Sequence, residues 1–239
     1  MLSIFAFVTL AFQACQGVTV TQQPANSAVE IGQNVTIACM VTNKGVSENV
    51  QWKMRANGTS TFNAITFNEN VLGDATKYAV VSTYNLTVIN AATADEGTYR
   101  CTAGTLDYDA QLTVVDLPNA VAIAWGGSPD AGNTVNLTCT ATNGRPTPNI
   151  RWIINGVDMS ASGILETNSV TASGYGNSVS NLPLVLNSNM NGNLATCYVA
   201  YDGWDDAMNA TYILNINGGA SLQMSGLIMS AIVVILAVM

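Results

Sequence analysis

Apolar and polar residues alternate along much of this chain of 239 residues. In 34–39 the apolar positions are Val35, Ile37 and Cys39, and 134–139 repeats the same spacing. A period of two puts successive side chains on opposite faces of a strand, so that one face is buried and the other meets solvent. The pattern therefore predicts an all-β protein whose second half repeats the first.

Further strands are predicted in the first half. They lie at 50–55, 84–89 and 111–115, and 61–70 has the alternation expected of an added edge strand. Each is short, as the strands of a small sandwich are.

Two continuous apolar runs at the ends of the chain depart from this alternation. The first, 4–12, is too short to span a bilayer and is followed by small residues, which is typical of a secretory signal. We predict that the signal occupies 1–17 and is cleaved before Val18. Residues 12–15 also resemble a bacterial lipoprotein box, which is the alternative interpretation.

The second apolar run is 227–239. As a helix rising about 1.5 Å per residue it would reach only about 20 Å, short of a roughly 30 Å hydrocarbon core, and no Lys or Arg follows it. Small residues, a short polar spacer and this tail predict a glycosylphosphatidylinositol (GPI) attachment signal at 217–239, with attachment at Asn217. The alternative is a single span that begins near Leu222 and has no cytoplasmic tail.

Several spacings in the first half are those of a known family. Trp52 follows Cys39 by thirteen positions, and Tyr99 lies two positions before Cys101 in the segment DEGTYRC. These residues resemble the immunoglobulin superfamily. In that family the two cysteines join two packed sheets, the tryptophan packs against their disulfide, and the tyrosine hydroxyl bonds back to the backbone.

The second half resembles the same family with departures. Trp152 follows Cys139 by the same thirteen positions, and 140–152 is similar to the corresponding segment of the second domains of nectin-type and B7-type receptors. The positions that correspond to the Asp, Gly and Tyr of the first half are Asn191, Asn193 and Ala195. Neither the tyrosine corner nor its ion pair is therefore expected in the second half.

The resemblance implies two tandem immunoglobulin-like β-sandwiches, a variable-type domain at 18–116 and a constant-like C2-type domain at 119–216. Removal of the signal leaves four cysteines, which allow three pairings. The resemblance implies one of them, Cys39 with Cys101 and Cys139 with Cys197. It also implies an ion pair between Asp95 and Lys77 at the start of the fourth strand.

Composition argues against several classes of function. The net charge of −8 has the wrong sign for nucleic-acid binding. The chain has no histidine, so a Ser/His or Cys/His nucleophile pair cannot form, and we expect no enzyme activity. There is no Cys-X-X-Cys motif and no glycine-rich phosphate loop, so no metal and no cofactor are expected.

Five Asn-X-Thr sequons predict N-linked glycans on a secreted chain. They begin at Asn34, Asn57, Asn85, Asn136 and Asn209. Because Asn34, Asn85 and Asn136 alternate with inward-facing residues, we expect each on the outer side of its strand. Glycans there would shield those sheet faces, so partners are expected to bind elsewhere.

A partner-binding face is predicted on the first domain. Three basic residues should converge on neighbouring strands there, next to a hairpin tip with two carboxylates around an aromatic ring. The predicted binding residues are Lys53, Arg55, Arg100, Asp107, Tyr108 and Asp109. A basic field beside an acidic tip is self-complementary about a two-fold axis, with Tyr108 as the anchor. The alternative is a mixed-charge face that only meets solvent.

Two classes of function are consistent with these features. The first is a GPI-anchored adhesion or recognition receptor on the extracellular face of the plasma membrane, which binds a protein on the same or an opposed cell, including a second copy of itself. The second is an immune recognition molecule or shed decoy for a microbial or soluble ligand. A receptor without a cytoplasmic segment cannot signal alone, so a transmembrane co-receptor is also expected.

Overall fold

The structure is a computed structural model that describes residues 17–217, with the backbone alone for 165–168. Residues 1–16 of the predicted secretory signal and 218–239 of the predicted attachment signal lie outside the described residues. The main division of the chain into two compact units, here named domain one and domain two, falls between Leu117 and Pro118. Within 17–217 no helix has the length and apolar character that a membrane span requires.

Domain one is built from twelve short strands that form one large and three smaller sheets. The large sheet has the order β2-β12-β11-β5-β6, and the second layer has the order β3-β10-β9, with two-stranded pairs β1-β4 and β7-β8. The strands are β1 (Thr19–Gln22), β2 (Ser27–Glu30), β3 (Val35–Ile37), β4 (Met40–Thr42), β5 (Val50–Ala56), β6 (Asn63–Ala64), β7 (Thr66–Phe67), β8 (Asn70–Val71), β9 (Tyr78–Val81), β10 (Asn85–Val88), β11 (Gly97–Ala103) and β12 (Leu106–Val115). The all-β prediction is confirmed.

The core of domain one lies between the two layers. Cys39, which follows β3, forms a disulfide with Cys101 of β11, as the resemblance implied. Trp52 packs in the same core with 1% of its surface exposed, and its Nε1 donates to the carbonyl of Tyr84 at 2.7 Å. The indole can be buried at little cost because its only donor is paired. The predicted relation between disulfide and tryptophan is therefore confirmed.

A polar corner closes the end of domain one just before β11. The side chain of Asp95, with 9% of its surface exposed, pairs with Lys77 at 2.5 Å and accepts from the backbone N–H of Ala92 at 2.7 Å. The hydroxyl of Tyr99 donates to the carbonyl oxygen of Asp95 at 2.9 Å, and burial raises the pKa of that hydroxyl. The tyrosine corner and the ion pair are both present in domain one.

Domain two has two four-stranded sheets, β13-β14-β18-β17 and β16-β15-β19-β20. Its strands are β13 (Ala120–Gly126), β14 (Thr134–Gly144), β15 (Asn149–Ile154), β16 (Val157–Asp158), β17 (Ile164–Val170), β18 (Gly176–Val185), β19 (Leu194–Tyr201) and β20 (Trp204–Ile213). The disulfide Cys139–Cys197 joins β14 to β19. Trp152 is fully buried beside it, and its Nε1 donates to Ser180 Oγ at 3.1 Å.

The corresponding corner of domain two uses neither an ion pair nor a tyrosine. Asn191 Oδ1 instead accepts from the backbone N–H of Ile216 at 2.9 Å and so ties the corner to the end of the domain. The side chain of Asn187 accepts from the backbone N–H of Asn189 at 3.0 Å and starts the short 3-10 turn Ser188–Met190. At this corner amide side chains therefore bond to backbone groups, as the acid and the tyrosine do to other backbone groups in domain one.

Candidate partner-binding face

The outer face of the five-stranded sheet in domain one carries three rows of polar side chains across strands β5, β11 and β12. The register aligns Lys53 with Arg100 and Arg100 with Asp109 in the middle row. The neighbouring rows are Arg55–Thr98–Gln111 and Gln51–Thr102–Asp107. Residues that are paired across antiparallel strands lie on the same side of the sheet, so these nine side chains share one face, which we name the ladder face.

Arg100 lies at the centre of the ladder face and pairs with two carboxylates of its own domain. Its Nε and Nη2 donate to the two oxygens of Asp109 at 2.7 and 2.8 Å, and its Nη1 donates to Asp107 at 2.9 Å. Hydrogen bonds from Arg100 are the main reason that the pKa of Asp109 lies below its ordinary value. The second oxygen of Asp107 accepts from Thr102 Oγ1 at 2.7 Å. Bidentate pairing fixes the guanidinium in one plane.

This pairing corrects the charge pattern expected from the sequence. A separate acidic tip beside a basic field was predicted, but Asp107 and Asp109 both pair with Arg100 of the same domain. Three basic and two acidic side chains leave the ladder face with one positive charge. Within the described part of the chain, Lys53 makes no ion pair or side-chain hydrogen bond, so its ammonium is available to a partner.

The hairpin between β11 and β12 is also shorter than predicted. Its turn is only Gly104 and Thr105, because Ala103 pairs with Leu106 and the strand begins there. Gly104 has φ +61°, a left-handed conformation that favours glycine. The predicted tip residues at 107–109 are therefore strand residues on the sheet, where alternation separates them.

Tyr108 does not lie on the ladder face. It pairs with Cys101, whose side chain faces the core, so the ring lies on the inner side of the sheet, opposite to Asp107 and Asp109. The prediction that Tyr108 anchors a partner between these carboxylates is wrong in its geometry. The alternation along β12 indicates this inward direction, because Ala110, Leu112 and Val114 are buried and Tyr108 continues the same phase.

Phe62 is the aromatic residue that the structure places against the ladder face. Its ring centroid lies 4.2 Å from Arg100 Cζ and 5.0 Å from Arg55 Cζ. Phe62 is half-buried and precedes β6, whose Ala64 pairs with Lys53 at the edge of the sheet. The sequence indicated only an edge strand in this region. Which aromatic ring meets the arginines depends on the register of β6 against β5, and alternation alone does not give that register.

Arg55 completes the aromatic cluster. Its Nη2 donates to Thr98 Oγ1 at 3.1 Å, and Thr98 in turn donates to Gln111 Oε1 at 3.3 Å. One ring that contacts two hydrogen-bonded guanidinium groups is held in a defined orientation. The cluster of Arg55, Phe62 and Arg100 is thus a preorganised, partly apolar surface beside the unpaired Lys53.

The sequons leave most of the ladder face open. Asn34 precedes β3 and Asn85 begins β10, so both belong to the other layer of domain one. Asn57 follows β5 at one end of the ladder face, where its Oδ1 accepts from Gln111 Nε2 at 3.2 Å. In domain two, Asn136 is exposed on β14 and Asn209 is exposed on β20. In each domain, one sheet carries the second cysteine. In domain two that sheet has a sequon within a strand, at Asn209 of β20, so a glycan is predicted there. In domain one the sequon nearest to that sheet, at Asn57, lies beyond the end of β5.

Known proteins provide an independent comparison. The family described as "Immunoglobulin domain" matches residues 19–104, and "CD80-like C2-set immunoglobulin domain" matches residues 117–205. Human Junctional adhesion molecule B is 25% identical over 162 residues, which are 64% of this chain and 53% of that protein. Human Kin of IRRE-like protein 1 is 31% identical over 171 residues, 65% of this chain and 21% of that protein. Nectin-4 of Xenopus tropicalis is 27% identical over 146 residues, 57% of this chain and 26% of that protein.

Proposed function

We propose that this chain is a cell-surface adhesion or recognition protein. The premise is that its two immunoglobulin-like domains are homologous to those of JAM-type and nectin-type adhesion proteins. The chain spans about half of Junctional adhesion molecule B and about a quarter or less of the other two relatives named above. The partner is a protein on the same or an opposed cell, and it binds the ladder face of domain one. The observation that carries this proposal is the cluster of Arg55, Phe62 and Arg100.

The chemistry of the ladder face indicates what its partner must offer. Aromatic and arginine side chains contribute most of the binding free energy in many protein interfaces, especially where packing holds them in place. Phe62 would enter an apolar pocket of the partner, and Lys53 beside it would meet a carboxylate. Arg100 is already paired with two carboxylates, so the positive charge of its guanidinium would stay compensated when it is buried at an interface.

A second copy of the chain remains the first partner to test. A two-fold axis through the ladder face would bring the two Phe62 rings together and allow each Arg100 to exchange Asp109 with its partner's. The exchange replaces one bidentate ion pair by an equivalent one, so it would add little to the free energy of binding. The favourable free energy of dimer formation would come from the apolar contact between the Phe62 rings. Charge complementarity between a basic field and an acidic tip, the mode expected from the sequence, does not support this arrangement.

The test is aggregation of beads coated with the secreted ectodomain. Phe62→Ala and Lys53→Glu should abolish self-aggregation if binding is homophilic, and should abolish binding to partner-bearing cells if it is not. Phe67→Ala is the matched control, because Phe67 is exposed in the same region but lies on the separate β7–β8 pair. Both Phe62→Ala and Lys53→Glu binding as well as the parent would exclude the ladder face.

We propose GPI attachment at Asn217 as the mode of membrane association. Asn217 is the last described residue, where its Nδ2 donates to Asp130 at 3.0 Å and its backbone N–H donates to the carbonyl of Pro129 at 2.8 Å. Attachment through the α-carbonyl carbon of Asn217 would leave both donors unchanged. Phosphatidylinositol-specific phospholipase C should release the protein from cells, and its last residue should be Asn217. A surface protein that retains Met239 would instead support a membrane span.

A further inference from the structure

We propose that cleavage of the predicted secretory signal before Val18 creates an α-ammonium group that binds the carboxylate of Glu48. Processing would then turn a backbone hydrogen bond into an ion pair and complete one end of domain one. This ion pair would form whether or not the protein is adhesive, since it involves only the amino-terminal residue and the loop between β4 and β5.

The geometry of Val18 suits an ammonium better than an amide. The nitrogen of Val18 lies 3.0 Å from both carboxylate oxygens of Glu48. An amide nitrogen in a chain has one hydrogen, which the two oxygens must share. An α-ammonium has three hydrogens, and two of them can serve the two oxygens with full charge assistance.

The carboxylate of Glu48 is prepared for a cation. The backbone N–H of Gly45 donates to its Oε2 at 2.8 Å. The pKa of Glu48 lies below its ordinary value, first because of that bond and second because of the bond from Val18. Lys44 is the nearby basic side chain and contributes less to this lowering, so it is the cation that would compete with the amino terminus.

The surroundings fit a chain that begins at Val18. A methyl group in place of the Gly104 α-hydrogen would come within 2.8 Å of Val18 Cγ1, so the valine side chain rests against the turn between β11 and β12. At Gly17 an added Cβ would lie 3.3 Å from Glu48 Oε1. A small residue is also what signal cleavage requires at the position before the cut. The cleft around this site, of about 360 Å³, opens to solvent, so the amino terminus can reach it without deep burial.

The first test is the amino terminus of the secreted protein. The full chain is expressed in secreting cells, and the recovered protein is analysed by intact mass and by sequencing of its amino-terminal peptide. We expect Val18 as the first residue. A first residue at any other position would overturn the proposal.

The second test is the reactivity of the α-amino group. Pairing with Glu48 keeps the amine protonated, so an amine-selective reagent near neutral pH should modify it about two- to fivefold more slowly than in Glu48→Gln. Glu69→Gln, another exposed carboxylate of domain one, should leave the rate unchanged. A variant with one extra glycine before Val18 moves the ammonium away from the carboxylate and should match Glu48→Gln. Equal rates in the parent and in Glu48→Gln would refute the ion pair.

Discussion

The two domains have the same core and differ at the corner before the strand that carries the second cysteine. Each buries a disulfide and a tryptophan whose Nε1 is hydrogen-bonded. In domain one, Asp95, Lys77 and Tyr99 close the corner, whereas in domain two Asn191 does so. The cross-linked core is therefore the part of the sandwich that the two domains share. The polar corner can be built in more than one way, provided that its backbone groups are satisfied.

The domains also differ on the outer face of the sheet that carries the second cysteine. Domain one presents the ladder face, and its nearest sequon, at Asn57, lies beyond the end of β5. Domain two has the sequon Asn209 within β20, and its sheet carries an ion pair of Arg151 with Asp158 at 3.4 Å. If both sequons carry glycans, only domain one has an open charged and aromatic sheet face. Four kinds of variant distinguish the two domains, and those of the shared core should have the largest effect.

Loss of either disulfide should have the largest effect, and the effect should be equal in the two domains. Cys39 and Cys101 are 62 residues apart and Cys139 and Cys197 are 58 apart, so each bond closes a loop of similar length. The chain-entropy treatment gives about 4 kcal/mol of stability for such loops. Each double Cys→Ala variant should fall below about a tenth of the parental yield in the secretion medium, measured by immunoblot.

Unequal yields would show that the two domains depend on their disulfides to different degrees. Normal secretion of one double variant would mean that its domain does not depend on the cross-link. Linkage of Cys39 to Cys139 in non-reduced peptides would contradict the pairing itself.

A new glycan on the ladder face should abolish partner binding. Gln51→Asn combined with Lys53→Thr creates an Asn-X-Thr sequon with Trp52 at its middle position, and the new asparagine faces outward because Trp52 faces the core. A bulky glycan there would cover the rows that carry Asp107 and Arg100. We expect bead or cell binding to fall to background, while a decrease in gel mobility shows that the site is occupied.

Two controls make this result specific. Lys53→Thr alone isolates the loss of the ammonium, and Asn209→Gln removes the sequon of domain two and should leave binding unchanged. Full binding by the glycosylated variant would place the interface elsewhere.

The sequence predicted features that depend on residue spacing within the chain better than features that depend on the register between strands. The spacings of Cys39, Trp52 and Cys101 resemble those of the immunoglobulin superfamily, and that resemblance predicted the core, because a disulfide and a ring that packs on it need fixed positions on three strands. Phe62 was missed because its contact with Arg55 and Arg100 follows from the register of a two-residue strand. Such a strand has too few alternating positions to define its register.

Tyr108 shows a different kind of error. The buried residues of β12 show which alternate positions face the core. Once the turn is known to be two residues long, Tyr108 belongs to the same strand and therefore also faces inward. A longer hairpin tip was assumed instead, which left the direction of the ring undefined. The sequence contained the signal, but the length of the turn had to be known before the signal could be extended.

The corner of domain one should tolerate substitution less well than that of domain two. Asp95→Ala removes a carboxylate that pairs with Lys77 and accepts from the Ala92 N–H in a largely buried position. Removing one partner of such a pair leaves the other uncompensated, and we expect a loss of about 2 to 3 kcal/mol. The melting temperature of domain one in calorimetry of the ectodomain should fall by about 10 to 20 °C. A shift below a few degrees would show that the ion pair contributes little.

Asn191→Ala should have the smallest effect of the four. It removes one hydrogen bond, from the Ile216 N–H to Asn191 Oδ1, and no charge is left unpaired. A single neutral hydrogen bond contributes about 1 kcal/mol, so the melting temperature of domain two should fall by about 4 to 8 °C. Asn189→Ala, an exposed amide two residues earlier that contributes only its backbone N–H to the corner, is the matched control and should change nothing. If Asn191→Ala were as costly as Asp95→Ala, the two corners would be energetically equivalent, and the amide would have to be regarded as a full substitute for the acid and the tyrosine.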